Sequence, residues 1–301
     1  MAFKIGFTAD HKRTRCEESA YQARQHTDAP HPSVVQVYFE SRDRSWTYYN
    51  DRFDLHEGDL VYVEGKLEGV RGRVVEVSYN FRIKLADYKR VIAVADTAVH
   101  GEFYVAGSHF VTFDRAAIPA EKAALWFMAP DKPEDEYASG QDETSFPLSD
   151  LKAMKAPNPA VERGLAYYMK DMVRYLCVDG TKGRAIVEGS RAYEVNFTYC
   201  GGEVSGLTCS CFCGGSCKHE VAAMMQLKNT LELIEKNYAE VYRRSGYFAA
   251  VPKETLFSFT VDGMERGQTD PVSGQIFRRT GEGNHTRKSR TAGANTGCPA
   301  F

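Results

Sequence analysis

No apolar run in this sequence approaches the roughly 18 residues needed to cross a bilayer as a helix, so no transmembrane helix and no membrane partner are expected. A secretory leader is not expected either. The short apolar stretch Phe3, Ile5, Gly6 and Phe7 gives way to Asp10, His11, Lys12 and Arg13 too soon for a signal-peptide core, and a cytoplasmic protein is expected. An excess of one charge is absent too. With 38 Lys and Arg against 40 Asp and Glu, the formal net charge is -2, so a nucleic-acid surface would have to be a local basic patch. The phosphate-cradling pattern G-x-x-x-x-G-K-[ST] does not occur, and Gly65, Gly69 and Gly72 are spaced for turns, so any helicase activity has to come from a partner. Carboxylates such as Glu220, Glu232 and Glu235 form no paired constellation, and His109 has no visible nucleophile beside it. A non-enzymatic protein is therefore expected.

What the chain does contain is enough apolar material, 43% of 301 residues, for two compact units with tails. From Ala9 to Pro32 the chain is polar, rich in Arg, His and Gln and punctuated by Pro30 and Pro32, which predicts a mobile arm over 1–32. Short β-type runs follow at Val34, Val35, Val37, Tyr38 and Phe39, at Trp46 to Tyr49, at Leu60 to Val63, and at Val74, Val75 and Val77. Turn signals at Asn50-Asp51, Gly58-Asp59, Gly69 and Gly72 separate them. Even spacing of such runs predicts a small β-barrel-like domain over 33–130, with further strand-like pieces at Lys89 to Val94 and Phe103 to Phe113.

Residues 131–157 begin with a stretch to Asp150 that carries seven acids and one lysine, which predicts an acidic linker; an acidic surface loop of one continuous domain is the alternative. Beyond it, Asn158-Pro159 opens a helical pattern of Val161, Leu165, Tyr168 and Met172. Period-two alternation then takes over at Val173, Tyr175 and Cys177, at Ala185 and Val187, and at Tyr193, Val195, Phe197 and Tyr199, predicting an antiparallel meander of three or four strands. Helical spacing returns at Val221, Met224, Leu227, Leu231, Ile234, Tyr238 and Val241, which predicts one long amphipathic helix. The fold class expected is α+β. Residues 263–301 are rich in Gly, Ser, Thr and Arg and predict a disordered tail.

Eight cysteines are too few for a disulfide scaffold of this length, and four of them crowd between Cys209 and Cys217, the rest standing at 16, 177, 200 and 298. Cys209, Cys211, Cys217 and His219 give the spacing C-x-C-x5-C-x-H between a predicted strand and a predicted helix. A C-x-C pair at a strand end can aim both sulfurs at one point, and C-x-H supplies the other two ligands at the helix start. Three thiolates and one imidazole complete a tetrahedron around Zn2+ and leave no position for a substrate water, so a structural zinc is expected. Cys213 lies between the ligand pairs, where it could stand in for a ligand or simply be exposed on the loop.

On these four residues, residues from about Ala160 to Leu231 resemble a SWIM zinc finger, a ββα module with the pattern C-x-C-x(n)-C-x-H. The flanking Arg163-Gly164, Tyr167-Tyr168, Val187-Glu188-Gly189-Ser190, Tyr193-Glu194-Val195 and Lys218-Glu220 contexts agree, and the SWIM unit is placed at 158–262. From Phe3 to Gly263 the chain also resembles an uncharacterised Firmicutes family of SWIM-containing proteins. The resemblance implies DNA binding or protein interaction, beside helicase or transposase domains. Val34 to Val77 resembles, in addition, the DNA-end-binding domain of the bacterial primosomal helicase, a pattern shared with many small barrels.

Arg42, Arg44, Arg71, Arg73, Arg82, Lys84, Lys89 and Arg90 interleave with Trp46, Tyr48, Tyr49, Tyr79, Phe81 and Tyr88, a mixture suited to phosphate contact and base stacking. Arg71, Arg73, Arg82, Lys84 and Lys218 are the candidate nucleic-acid contacts. The expected function is a zinc-binding accessory protein that contacts nucleic acid alongside a helicase or other DNA-processing protein. The alternative is a protein-interaction adaptor that docks through the SWIM unit and the barrel.

Overall fold

A computed structural model describes residues 30–132, 135, 140, 144–211, 213 and 215–260. The predicted disordered tail, and all but the last residues of the predicted mobile arm, lie outside them. The described chain is a mixed α+β structure with two antiparallel sheets and four α-helices.

The first sheet holds β1 (Ser33–Phe39), β2 (Arg44–Asn50), β3 (Leu60–Val63), β4 (Gly72–Ser78) and β5 (Val91–Ala95), in the order β2-β1-β4-β3-β5. In β1 the alternate residues Val35, Val37 and Phe39 are buried and meet Tyr48, Leu55, Val61, Val63, Val74 and Val91. Gly72 is required at its place, because a Cβ there would stand 2.3 Å from Val37 Cγ1 and 2.8 Å from Phe39 Cε1. The turn after β2 is tied by Asn50, whose side-chain amide donates to Ser33 Oγ (3.0 Å) and to the Phe53 carbonyl (2.7 Å) while its oxygen accepts from the Phe53 N–H.

The expected barrel is not closed. No ladder pairs the outer strands β2 and β5; beside β5, the Tyr49 N–H donates to the Lys89 carbonyl (2.9 Å) and Tyr49 bridges Arg90, with Arg90 paired to Asp51 and lying over the Tyr49 ring. Residue 90 precedes β5, and β5 itself pairs with β3, so no continuous ladder joins the sheet's two edges.

The second sheet has eight strands: β6 (Tyr104–Ala106), β7 (His109–Thr112), β8 (Ser145–Pro147), β9 (Val173–Asp179), β10 (Lys182–Glu188), β11 (Ala192–Cys200), β12 (Glu203–Cys209) and β13 (Tyr247–Pro252). Their order is β6-β7-β13-β9-β10-β11-β12-β8. Strands β9 to β12 are the meander that the alternation predicts. The strand-like piece at 103–113, grouped in the sequence with the N-terminal runs, pairs instead with β13. Part of the acidic segment is ordered as the edge strand β8, with Phe146, Leu148 and Met154 buried.

Helices α1 (Ala120–Phe127), α2 (Asn158–Met169), α3 (Lys218–Ser245) and α4 (Lys253–Thr260) complete the fold. One face of the second sheet, through Leu176, Val178, Val187 and Val195, packs on Ala222, Met224, Leu227 and Ile234 of α3. The other, through Tyr175, Cys177 and Ile186, packs on Trp126 of α1 and Leu256 and Phe259 of α4. Leu60 and Ala95 of the first sheet belong to that second cluster, so the two sheets share a core. Helix α2 lies close on α3: a Cβ at Gly164 would be 2.5 Å from Val221 Cγ1. The long helix departs from regular geometry at Tyr238, whose hydroxyl donates to the Val105 carbonyl of β6 (2.8 Å).

Candidate metal centre

Cys209 ends β12, where it lies opposite Val195, and the pairing continues one step further: the Ser210 N–H donates to the Glu194 carbonyl and the Glu194 N–H to Ser210 Oγ, both at 2.9 Å. That extension holds the Cys209 to Cys211 segment against β11. The other pair comes from the start of α3. Cys217 is its N-cap, with Sγ accepting from the Glu220 N–H (3.4 Å), while the Glu220 carboxylate accepts from the Cys217 N–H (2.9 Å). This is a reciprocal capping box in which a thiol replaces the usual hydroxyl.

Strand end and helix start thereby bring Cys209, Cys211, Cys217 and His219 together, with one donor atom of each within 4.8 Å of the others. His219 Nδ1 lies 3.7 Å from Cys209 Sγ and 3.8 Å from Cys217 Sγ. A tetrahedral ion with bonds of about 2.3 Å to sulfur and about 2.1 Å to nitrogen separates those donors by about 3.6 Å, so the spacing fits a tetrahedral metal. Cys217 and His219 are buried and Cys209 and Cys211 half-buried, whereas Cys213 is exposed and falls outside the set of four.

The protons follow the same logic. Hydrogen bonding from Cys209, helped by His219 and the Glu220 N–H, pulls the Cys217 thiol down to about 4 against the effect of burial. Its neighbours move the other way: Cys209 is raised by its bond to Cys217 and by burial, and burial first of all pushes Cys211 up to about 12. Three anionic sulfurs crowded together repel one another, and a cation at their centre is what would let all three ionise.

Around His219 the side chains are aromatic. The Tyr193 ring stacks on the imidazole with centroids 4.1 Å apart at 19°, and Tyr167 meets it at 5.7 Å and 61°. Gly189 leaves room for this wall, since a Cβ would approach Tyr193 Cε2 to 3.1 Å and His219 Nε2 to 3.4 Å. Among the described residues, the buried Nε2 has no hydrogen-bond partner. Tyr167 and Tyr193 stand in the sequence as parts of the family-like context without an assigned role. Arg191 carries no sequence signal at all, because its tie to the centre runs through a turn 28 positions before His219.

The predicted nucleic-acid residues come from different elements. Arg71 donates to the Trp126 carbonyl and lies 4.6 Å over the Phe259 ring, and Arg73 donates to the Gly58 carbonyl at 3.0 Å. Both therefore fasten the fold. Arg82 and Lys84 are exposed between β4 and β5. Lys218 sits at the metal centre, its Nζ 5.2 Å over the Tyr167 ring.

No family model matches the chain, and neither the curated proteins nor the solved structures supply a match. The described residues thus define a mixed α+β protein with a three-cysteine, one-histidine cluster that could hold a metal ion. Among the described residues, no helix is long and apolar enough to cross a membrane.

Proposed function

We propose that Cys209, Cys211, Cys217 and His219 hold one structural Zn2+ in a SWIM-like module, and that the protein is a non-enzymatic accessory factor contacting nucleic acid beside a DNA-processing enzyme in the cytoplasm. The observation that carries this reading is the convergence of four soft or borderline donors, at tetrahedral spacing, from a strand end and a helix start. Three thiolates with one imidazole favour zinc over hard cations, and a site filled by four protein ligands has no open position for chemistry. The ion would bolt the meander to α3 and keep His219 beneath Tyr193.

Elemental analysis of the purified protein is expected to give one zinc per chain. Cys217→Ser and His219→Ala should each lose it, while Cys213→Ser keeps it. Stoichiometric zinc and an unchanged melting temperature in the first two variants would refute the ligand set. Fluorescence anisotropy of the zinc-loaded protein with labelled oligonucleotides tests the nucleic-acid part. Binding should be seen at low salt and weaken as salt rises, and absence of binding at low salt removes that part of the reading.

A protein-docking adaptor is the second reading. It is favoured by α2, where Val161, Leu165 and Met169 recur every four residues and remain exposed, Met169 at 71%.

A further inference from the structure

The surface beside the candidate metal centre carries two cations that have no ion pair among the described residues. Arg191 is exposed, and its guanidinium carbon lies 5.2 Å from the Tyr193 ring centroid; Lys218 Nζ lies at the same distance from Tyr167. Neither is in an ion pair among the described residues. The carboxylates that flank Arg191 in the chain are already committed: Glu188 is held by Arg174 at 2.6 Å and Glu194 by Arg184 at 2.9 Å. The one acid in the first turn of α3, Glu220, is buried in the capping box.

The turn that carries Arg191 is tied down. The Gly189 N–H donates to the Arg191 carbonyl (2.7 Å), closing the turn, and Ser190 Oγ is 2.9 Å from the Tyr193 hydroxyl. Tyr193 in turn stacks on His219. The buried His219 imidazole, the Tyr193 ring and the exposed Arg191 guanidinium are thus successive neighbours.

From this arrangement we infer that Arg191 and Lys218, backed by Tyr193 and Tyr167, form the contact for single-stranded nucleic acid. The phosphodiester meets the two cations, and a base stacks on the Arg191 side of the column. A polyanion supplies the charge that the fold withholds, and an unpaired base supplies the π-face that a duplex keeps inside. The inference rests on the nucleic-acid reading above and relocates its site, because Arg71 and Arg73 are spent on backbone carbonyls. It also ties binding to the metal, since freeing His219 removes the floor of the stack.

The test is anisotropy of fluorescein-labelled oligothymidylate with the zinc-loaded full chain across a salt series. Arg191→Ala with Lys218→Ala is expected to weaken binding about tenfold or more and to flatten the log–log salt slope by about 1.4, roughly 0.7 per lost phosphate contact. Arg191→Ala alone, which touches no metal ligand, should keep its zinc and show about half that change in slope. Wild-type binding left intact in both variants, or lost instead in Arg82→Ala with Lys84→Ala, would overturn the location while the nucleic-acid reading stands. Competition by duplex as strong as by single strand would overturn the choice of single strands. No wild-type binding at low salt would remove the underlying reading and this inference with it.

Discussion

Gly183 shows how little slack the meander has. It lies opposite Phe197 across β10 and β11, and a Cβ there would come within 2.0 Å of the Phe197 ring. Its backbone is ordinary strand, so the demand for glycine is purely steric and comes from an aromatic ring lying flat over the neighbouring chain. Gly183→Ala is accordingly expected to cost about 1–3 kcal/mol as the buried Phe197 is forced off its rotamer. Thermal or urea unfolding reads this directly, and a cost close to zero would mean that the ring moves aside freely. The contrast with the four residues that could hold a metal ion is instructive. Cys209, Cys211, Cys217 and His219 could be picked out by spacing alone, because chemistry restricts which residues can serve. The alternation in β10 never signalled Gly183, whose partner is set by cross-strand register.

At the scale of elements, the start of α3 shares a residue with the three-cysteine, one-histidine cluster. Cys217 is both its cap and a donor of the four-residue cluster, and Glu220 closes the capping box. A side chain fixed by an ion caps better than one free to rotate, since the ordering cost is already met. Chelation of the purified protein should therefore speed amide exchange first over β12 and the opening turns of α3, and least in the half of α3 around Ile234 and Tyr238, which packs on the sheet and on β6. Hydrogen-exchange mass spectrometry with and without chelator decides it. Equal exchange in both states would show that the helix stands without the metal. Helix α3 and strand β11 were legible in the sequence because each has one buried face and hence a clean period. Strand β13 was not, because all six of its residues are buried and it therefore lacks alternation.

For the whole molecule, neighbours in space are remote in the chain. Strand β13 inserts between β7 and β9, and β8 is added beyond β12, so the eight-stranded sheet is assembled from four separated stretches. No local pattern encodes those pairings, which explains why the 103–113 run was grouped with the wrong strands. His109 sits at one such junction. It pairs with Pro252 of β13, is buried, and has Ser108 Oγ 3.0 Å from Nδ1, with the Ser108 hydroxyl also donating to Asp171 before β9. Burial is the main influence on it and lowers its pKa from 6.5; Lys253 acts the same way, while Asp171 and the Val173 backbone oppose. With the folded value below the unfolded one, the unfolded chain binds the extra proton. The His109 contribution is then fully present above about pH 6.5 and drains away as pH falls below it. Acid also strips metal from thiolates, so the wild-type curve alone is ambiguous. Comparison with His109→Gln removes the ambiguity, because metal loss is common to both proteins. The gap in melting temperature between wild type and variant should be constant above about pH 7 and shrink between about pH 6.5 and pH 5. A gap that stays constant or widens on acidification would mean that His109 accepts its proton without leaving the fold.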